Sequence, residues 1–163
     1  GEGKLQGAQE NDFNYYKGCI LQAMGQNNEA QIFFQKACSG NNQPVAAMYY
    51  NDQKPDKVFY QGLALLKLGN EGKACSCFNR LIDFGEKHLF DIFKMDYFAV
   101  SLPDLQIWED DMNRKNRVHC NYLMGLGHLG LGHVEKAKTY FGIASELDNN
   151  HQGVQIHSEM INE

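Results

Sequence analysis

Val118 to His151 reads VHCNYLMGLGHLGLGHVEKAKTYFGIASELDNNH, and this stretch decides the fold of the 163-residue chain. Its first half carries apolar residues at the spacing of one helix face and ends at Gly132. Glycine ends helices readily because it adopts the left-handed conformation without a Cβ penalty. The second half places Ala137 and Phe141 four residues apart, on one face of a second helix. The stretch therefore predicts two helices joined by a tight turn.

The same four-point pattern occurs three times along the chain. In each copy two glycines, an alanine and a phenylalanine follow one another at steps of seven, five and four residues. The three copies are Gly18, Gly25, Ala30, Phe34; Gly62, Gly69, Ala74, Phe78; and Gly125, Gly132, Ala137, Phe141. A repeat of this kind predicts helix pairs that stack on one another.

Each residue type in the pattern has a structural reason. The second glycine of each copy ends the first helix. The alanine is small, so two helices can approach closely, and we expect the first glycine to face it, as Gly125 would face Ala137. The phenylalanine lies one turn beyond the alanine on the same face, where it fills the space between helix layers.

The pattern resembles the tetratricopeptide repeat, a unit of about 34 residues with an A-x3-F second helix. The resemblance implies an all-α superhelix of three helix pairs, with units at about 11–44, 55–88 and 118–151. Two features of the third unit depart from the usual pattern. The aromatic residue near the start of its first helix is one place late, as Tyr122, and Asn149 replaces the closing proline.

The remaining segments complete a single domain over residues 1–163. An insert covers 45–54, and a longer one, rich in Phe, Tyr and Leu, covers 89–117. The longer insert predicts a short helix at about 91–100 and a turn at Pro103, with the first helix of the third unit starting near Asn113. The tail at 152–163 is amphipathic and predicts a capping helix over the last repeat.

A second resemblance is carried by the phrases FYQGLALLKLG, GEKHL, MDYFAVSLPDL and NRVHCNYLMGLGHLGLG. From about Ala46 to Gly153 the chain is similar to the C-terminal repeat region of large bacterial proteins of unknown function. The N-terminal part of those proteins resembles carbohydrate-associated β-sandwich domains. The resemblance implies that the chain is a fragment of such a protein, and it transfers no catalytic residue.

Charge and composition exclude several classes of partner. Fifteen basic and 20 acidic residues give a net charge of -5, which argues against a nucleic-acid partner. The apolar runs are much shorter than the roughly 20 residues of a membrane span. The five cysteines are odd in number and form no disulfide framework, which favours reduced thiols and a cytoplasmic location.

No motif predicts catalysis, a metal site or a cofactor. Histidines and cysteines lack the spacing of zinc ligands on one helix face, so we predict no metal site. Gly125, Gly127, Gly130 and Gly132 satisfy the letters of a dinucleotide-binding motif. That motif requires a preceding β-strand, whereas these glycines follow a helical pattern. We therefore predict that the chain is not an enzyme.

The resemblance to tetratricopeptide repeats places the first helix of each unit along a concave groove. The fifth position of each unit is aromatic, as Tyr15, Phe59 and Tyr122, and the ninth positions are Cys19, Leu63 and Leu126. Two interpretations stay open for these residues. They either pack between repeats or, if exposed, bind an apolar peptide, a partner helix or a sugar face. On the second interpretation we expect at least two of the three rings to be partly exposed.

The groove positions also exclude one family-type ligand. Some tetratricopeptide repeats clamp the terminal carboxylate of a chaperone with Lys and Asn side chains. The matching positions here hold none of these residue types, being Asp12, Tyr15, Tyr16, Cys19, Asp56, Phe59, Tyr60 and Leu63. The sequence therefore predicts a non-catalytic protein-interaction or scaffold module. Its partner is a protein or peptide, one candidate being the missing N-terminal part of the same protein. The alternative is a docking domain of a carbohydrate-active parent protein.

Overall fold

A computed structural model describes residues 10–46, 52–93 and 105–162 of the chain. These ranges contain seven α-helices and a terminal 3-10 turn, with no β-strand. The helices are α1 (Asn11–Ala23), α2 (Asn27–Ala37), α3 (Lys57–Lys67), α4 (Glu71–His88), α5 (Leu105–Gly130), α6 (Val134–Leu147) and α7 (Gln152–Glu159), followed by the turn at Met160–Asn162. The expected all-α fold of stacked helix pairs, α1 with α2, α3 with α4 and α5 with α6, is confirmed.

Glycine ends the first helix of each pair. Gly25, Gly69 and Gly132 have φ angles of 78°, 75° and 75°, in the left-handed region where a side chain would be strained. The next helix begins two residues later. In the second pair, the Asn70 side chain accepts a hydrogen bond from the backbone N–H of Lys73, so it caps that helix.

Within each pair the first glycine makes room for the phenylalanine of the second helix. A Cβ atom added at Gly125 would lie 2.4 Å from the ring of Phe141, and one added at Gly62 would lie 2.4 Å from the ring of Phe78. The closest neighbour of this glycine is therefore the phenylalanine ring, which occupies the space that the missing side chain leaves. The expected approach of Ala137 to Gly125 stays a prediction.

The pairs stack through small residues. Ala64 of α3 is buried in a cluster with Ala30, Phe34 and Ala37 of α2. In α5, a Cβ at Gly127 would meet Ile82 and the carbonyl oxygen of Phe78, both on α4. A second hydrophobic cluster runs from α3 through α4, α5 and α6 to Val154 of α7. Gly127 and Gly130, which the repeat pattern leaves unexplained, are thus contact points between the second and third pairs.

The first helix of the third pair starts earlier than expected, within the long insert. Helix α5 begins at Leu105, well before the expected start near Asn113. Residues 105–112 include four acidic or amide side chains and no proline or glycine, so nothing in them stops a helix that begins just after Pro103. Most of the helix expected at 91–100, and Pro103 itself, lie outside the described residues.

Candidate partner-binding groove

The fifth-position rings of the three units lie mostly in the interior. Phe59 is 0% exposed and Tyr122 is 2% exposed, while Tyr15 is half-buried. The expectation that at least two of these rings are partly exposed is therefore wrong. The ninth positions are also covered: Leu126 is buried, and Cys19 and Leu63 are half-buried against the hydrophobic clusters.

Helix α7 covers these rings, because it lies against the face formed by α3 and α5. We call this face the inner face and define it by the side chains of Tyr16, Phe59, Tyr60 and Tyr122. The His157 ring of α7 packs edge-on against Phe59, with ring centroids 5.4 Å apart. It also lies 5.7 Å from the ring of Tyr60 and 5.8 Å from that of Tyr122. One imidazole thus contacts both α3 and α5.

Gly153, one turn before His157, brings α7 close to the inner face. A Cβ atom at this position would lie 2.5 Å from the hydroxyl oxygen of Tyr122. The ring of His151, which precedes the helix, packs on Tyr122 at a centroid distance of 4.7 Å. Val154 is buried in the main cluster beside them. A small residue is therefore required where α7 meets the Tyr122 ring.

Hydrogen bonds fix the tautomer of His157. Its Nδ1 lies 2.7 Å from the carbonyl oxygen of Gly153, which can only accept, so Nδ1 carries the proton. The same N–H points at the Tyr122 hydroxyl oxygen, 3.0 Å away. Nε2 is then the acceptor for the Tyr60 hydroxyl at 3.0 Å. The hydroxyl of Tyr16 lies 3.1 Å from that of Tyr60 and can donate to it, which extends the chain of bonds to α1.

The electrostatics of this site favour the neutral imidazole. Burial lowers the pKa of His157, against the opposing effects of the Gly153 carbonyl and of Asp56 and Asp12. Burial also raises the pKa of the Asp56 carboxyl at the start of α3, although nearby His157 acts in the opposite direction. The phenol pKa of Tyr60 and that of Tyr122 lie well above the ordinary value because of burial. At neutral pH the rings of the site form a network of neutral hydrogen-bonding groups.

Two important residues of this site were not among the predicted candidates. Tyr60 and His157 carry the central hydrogen bond, yet they are 97 residues apart in sequence. The paired aromatics Tyr15–Tyr16 and Phe59–Tyr60 were the available signal for Tyr60, since the second member of each pair is also aromatic. Nothing local distinguishes His157 from an ordinary polar residue of an amphipathic helix.

The rest of the described chain adds two negative findings. Within residues 10–46, 52–93 and 105–162, no three His, Cys, Asp or Glu side chains are grouped as a metal site would require. In the same ranges, every helix is too short or too polar to cross a membrane. All five cysteines are free thiols, and burial raises the thiol pKa of Cys38 to about 11 and that of Cys120 to about 12.

Comparison with known families agrees with the helix pairs. Residues 12–43 match a tetratricopeptide repeat model, and residues 58–83 match a second model of the same description. These segments contain α1 with α2 and most of α3 with α4. No solved structure was found to match the chain. The two matches, together with the stacked helix pairs, support the tetratricopeptide repeat family, and the chain has an all-α, tetratricopeptide-like fold.

Proposed function

We propose that the chain is a non-catalytic protein–protein interaction module whose inner face binds an α-helix. Tetratricopeptide repeats generally mediate protein–protein interaction and are typically non-enzymatic. One observation carries the proposal for this chain: the inner face already holds a helix, because α7 packs His157 between Tyr60 and Tyr122. Helix α7 therefore occupies the surface that a partner helix would bind, and its contacts indicate what such a helix must present.

The contacts of α7 define what a partner helix must present. It needs a small residue against the Tyr122 ring, as Gly153 provides. One turn later it needs a flat side chain with both a donor and an acceptor, as His157 provides. An apolar neighbour such as Val154 completes the buried edge. This is helix-in-groove recognition, in which residues one turn apart anchor a short amphipathic helix.

In this proposal, the fifth-position rings contact the partner after α7 is displaced. Displacement of α7 uncovers Phe59 and Tyr122, and the half-buried Tyr15 lies beside them, with its ring 5.7 Å from that of Tyr60. Leu126 belongs to the same hydrophobic cluster as Phe59 and Tyr122, and Leu63 packs against that cluster. Cys19 packs against the cluster of α2 residues that includes Phe34. Helix α7 has only eight residues and gains little stability as an isolated helix, so its position depends on these contacts.

A partner helix must compete with α7, which is covalently attached, so the test has to weaken the contact of α7 with the inner face. Because α7 is covalently attached, its effective concentration at the inner face is of the order of millimolar, and free ligands bind weakly until the contact is loosened. We expect a fluorescent peptide of residues 150–163 to bind the full chain carrying His157→Ala at least about tenfold more tightly than the unaltered chain. Fluorescence anisotropy measures both affinities.

The matched control is Gln155→Ala, which changes an exposed residue on the same helix. It should leave peptide binding as weak as in the unaltered chain. Absence of peptide binding to the His157→Ala chain, or equal tightening by Gln155→Ala, would contradict the proposal. A circular-dichroism melting curve verifies that each variant is folded at the temperature of the assay.

We further propose, from the resemblance of residues 46–153 alone, that the natural partner is the N-terminal part of a larger bacterial protein with a carbohydrate-associated region. In this case the domain docks onto that part, and the parent protein resides in the cytoplasm. Mixing the chain with the separately expressed N-terminal part of a parent protein, followed by light scattering after size exclusion, tests it. A complex that is weakened by Tyr60→Ala supports the proposal, and two separate peaks contradict it.

A further inference from the structure

A cleft of about 390 Å³ lies between the first and second helix pairs. The end of α2 and the segment after it contribute Cys38 and Asn42, α3 contributes Gln61, and α4 contributes Lys73 and Arg80. None of these residues belongs to the inner face. The volume falls in the range of small-molecule sites, about 300–1,000 Å³, so the cleft is large enough to hold a small ligand.

One side of the cleft is a positively charged stripe of α4. Lys73 and Arg80 are seven residues apart, so they lie two turns apart on the same helix face, with Ser76 and Cys77 between them. The Arg80 guanidinium lies near the Cys77 thiol, where its charge opposes the rise that burial causes in the thiol pKa. Lys73 lies in the first turn of α4, where the helix dipole is positive. Among the described residues, no acidic side chain lines the cleft.

The two cations of the cleft have no carboxylate partner. Lys54, Arg114 and Lys138 each pair with a carboxylate at 2.9–3.0 Å. Lys73 and Arg80, in contrast, form no ion pair within residues 10–46, 52–93 and 105–162. Two cations that face one cleft without a local counter-charge, in a chain of net charge -5, favour an anionic ligand.

Gln61, on the α3 side of the cleft, carries a buried hydrogen-bond acceptor that has no partner. The side chain is 1% exposed, and its Nε2 donates to the carbonyl oxygen of Ser39 at 2.8 Å. The amide nitrogen is thereby directed at the segment after α2, while Oε1 accepts no hydrogen bond from any described residue. Buried polar atoms are nearly always hydrogen-bonded, because an unmade bond leaves their desolvation uncompensated. A ligand that satisfies Gln61 therefore brings a donor as well as a negative charge.

We propose that this cleft binds a small phosphate that carries a hydroxyl donor. The phosphate oxygens accept hydrogen bonds from the Lys73 ammonium and the Arg80 guanidinium, and such charge-assisted bonds are short and strong. The hydroxyl group donates to Gln61 Oε1, and because this atom is buried, a small shift of the Gln61 side chain accompanies binding. Inorganic phosphate and a hydroxylated phosphate ester share this chemistry.

A ¹⁵N chemical-shift titration of the full chain at pH 7.5 tests this proposal, because it measures millimolar affinities and locates the ligand. Inorganic phosphate, glycerol phosphate and sulfate are added separately at equal ionic strength. Sulfate has the shape of phosphate and at least as much negative charge, but it has no hydroxyl group. We expect phosphate to shift the Arg80 Nε and Gln61 Nε2 resonances, and the tighter of the two phosphates to bind at least about tenfold more tightly than sulfate. The tighter binder also identifies the ligand as the free ion or an ester.

Two lysine variants test the role of the charge. Lys73→Gln removes one cation of the cleft at an exposed position and should weaken phosphate binding at least about tenfold. Lys87→Gln is the matched control, because it removes the same charge from an exposed position of α4 outside the cleft. It should bind phosphate as tightly as the unaltered chain does. A melting curve verifies that both variants are folded.

Three results would overturn the proposal. They are no shift at Arg80 and Gln61 with either phosphate up to several tens of millimolar, sulfate binding as tight as that of both phosphates, and equal weakening by Lys73→Gln and Lys87→Gln. The cleft shares no residue with the inner face, so peptide binding to the inner face should be unaffected by either lysine variant. The two proposals can therefore fail separately.

Discussion

Single glycines set the distance between paired helices in this chain. The ring of Phe141 occupies the space that a side chain at Gly125 would need, and the same relation joins Phe78 to Gly62. The constant spacing of the repeat follows from this contact, because glycine and phenylalanine must arrive at the same crossing in each unit. A second role belongs to Gly132, whose positive φ ends the helix.

Replacing Gly125 with alanine should destabilise the fold by about 1–3 kcal/mol, because the new methyl group overlaps the Phe141 ring. The control is Gly142→Ala in α6, where an added Cβ meets nothing within 4 Å. This second change should stabilise by roughly 0.5–1 kcal/mol, since alanine favours a helix over glycine. Urea unfolding measures both free energies. Equal effects of the two substitutions would refute the ring-and-glycine contact.

At the scale of elements, α7 covers the inner face. Its single fully buried polar residue, His157, hydrogen-bonds to both α3 and α5. The neutral ring is required because Nε2 must accept a hydrogen bond from the Tyr60 hydroxyl. Protonation turns Nε2 into a donor and places a cation in a buried site, which the Gly153 carbonyl, Asp56 and Asp12 compensate only in part.

Acid should therefore loosen α7. The groups that face His157 are Asp56 and Asp12, the phenols of Tyr60 and Tyr122, and His151, whose own pKa burial also lowers. A histidine with a lowered folded-state pKa stabilises the fold fully above its unfolded pKa of 6.5. Its contribution is lost as pH falls below that value, because the unfolded chain takes up the proton first. We expect a lower melting temperature at pH 5.5 than at pH 7.5.

The variant His157→Gln isolates this contribution. It should melt lower than the unaltered chain at pH 7.5 and lose less stability on acidification. Some pH dependence remains, since burial lowers the pKa of His119 and that of His128 as well. An unchanged difference between the two pH values would show that His157 does not couple acid to the position of α7. Differential scanning calorimetry gives the melting temperatures.

The sequence predicted the elements better than their contacts. The 7-5-4 spacing located the three helix pairs, and left-handed glycines occur at the turns that it indicated. It placed the phenylalanines on the inner side of each pair, but it did not show that their rings reach the first glycine, because spacing along a helix does not report side-chain reach. The early start of α5 was missed because the repeat pattern begins only at Val118.

The sequence did not predict the burial of the fifth-position rings. Phe59 and Tyr122 are buried, and burial depends on what lies opposite them, which is α7. The tail was expected to cover the last repeat. It also contacts α3 through a hydrogen bond between Tyr60 and His157, and no local pattern predicts a contact across 97 residues.

At the scale of the whole molecule, the two ends of the helix stack differ. At one end α7 packs on α5 and α6 and covers apolar side chains. At the other end Phe13 and Ile20 of α1 are exposed. Stacked repeats normally carry a polar outer face on the terminal unit, whereas these side chains are apolar.

The central claim is that α7 packs on the inner face, and nuclear Overhauser effects from the His157 ring test this claim most directly. In a ¹³C,¹⁵N-labelled full chain at pH 7.5, the imidazole protons should show cross-peaks to the rings of Phe59, Tyr60 and Tyr122, whose centroids lie within 5.8 Å. The ¹⁵N shifts should identify the neutral tautomer with its proton on Nδ1. An imidazole with the shifts of a solvent-exposed histidine and no cross-peak to these rings would contradict the claim.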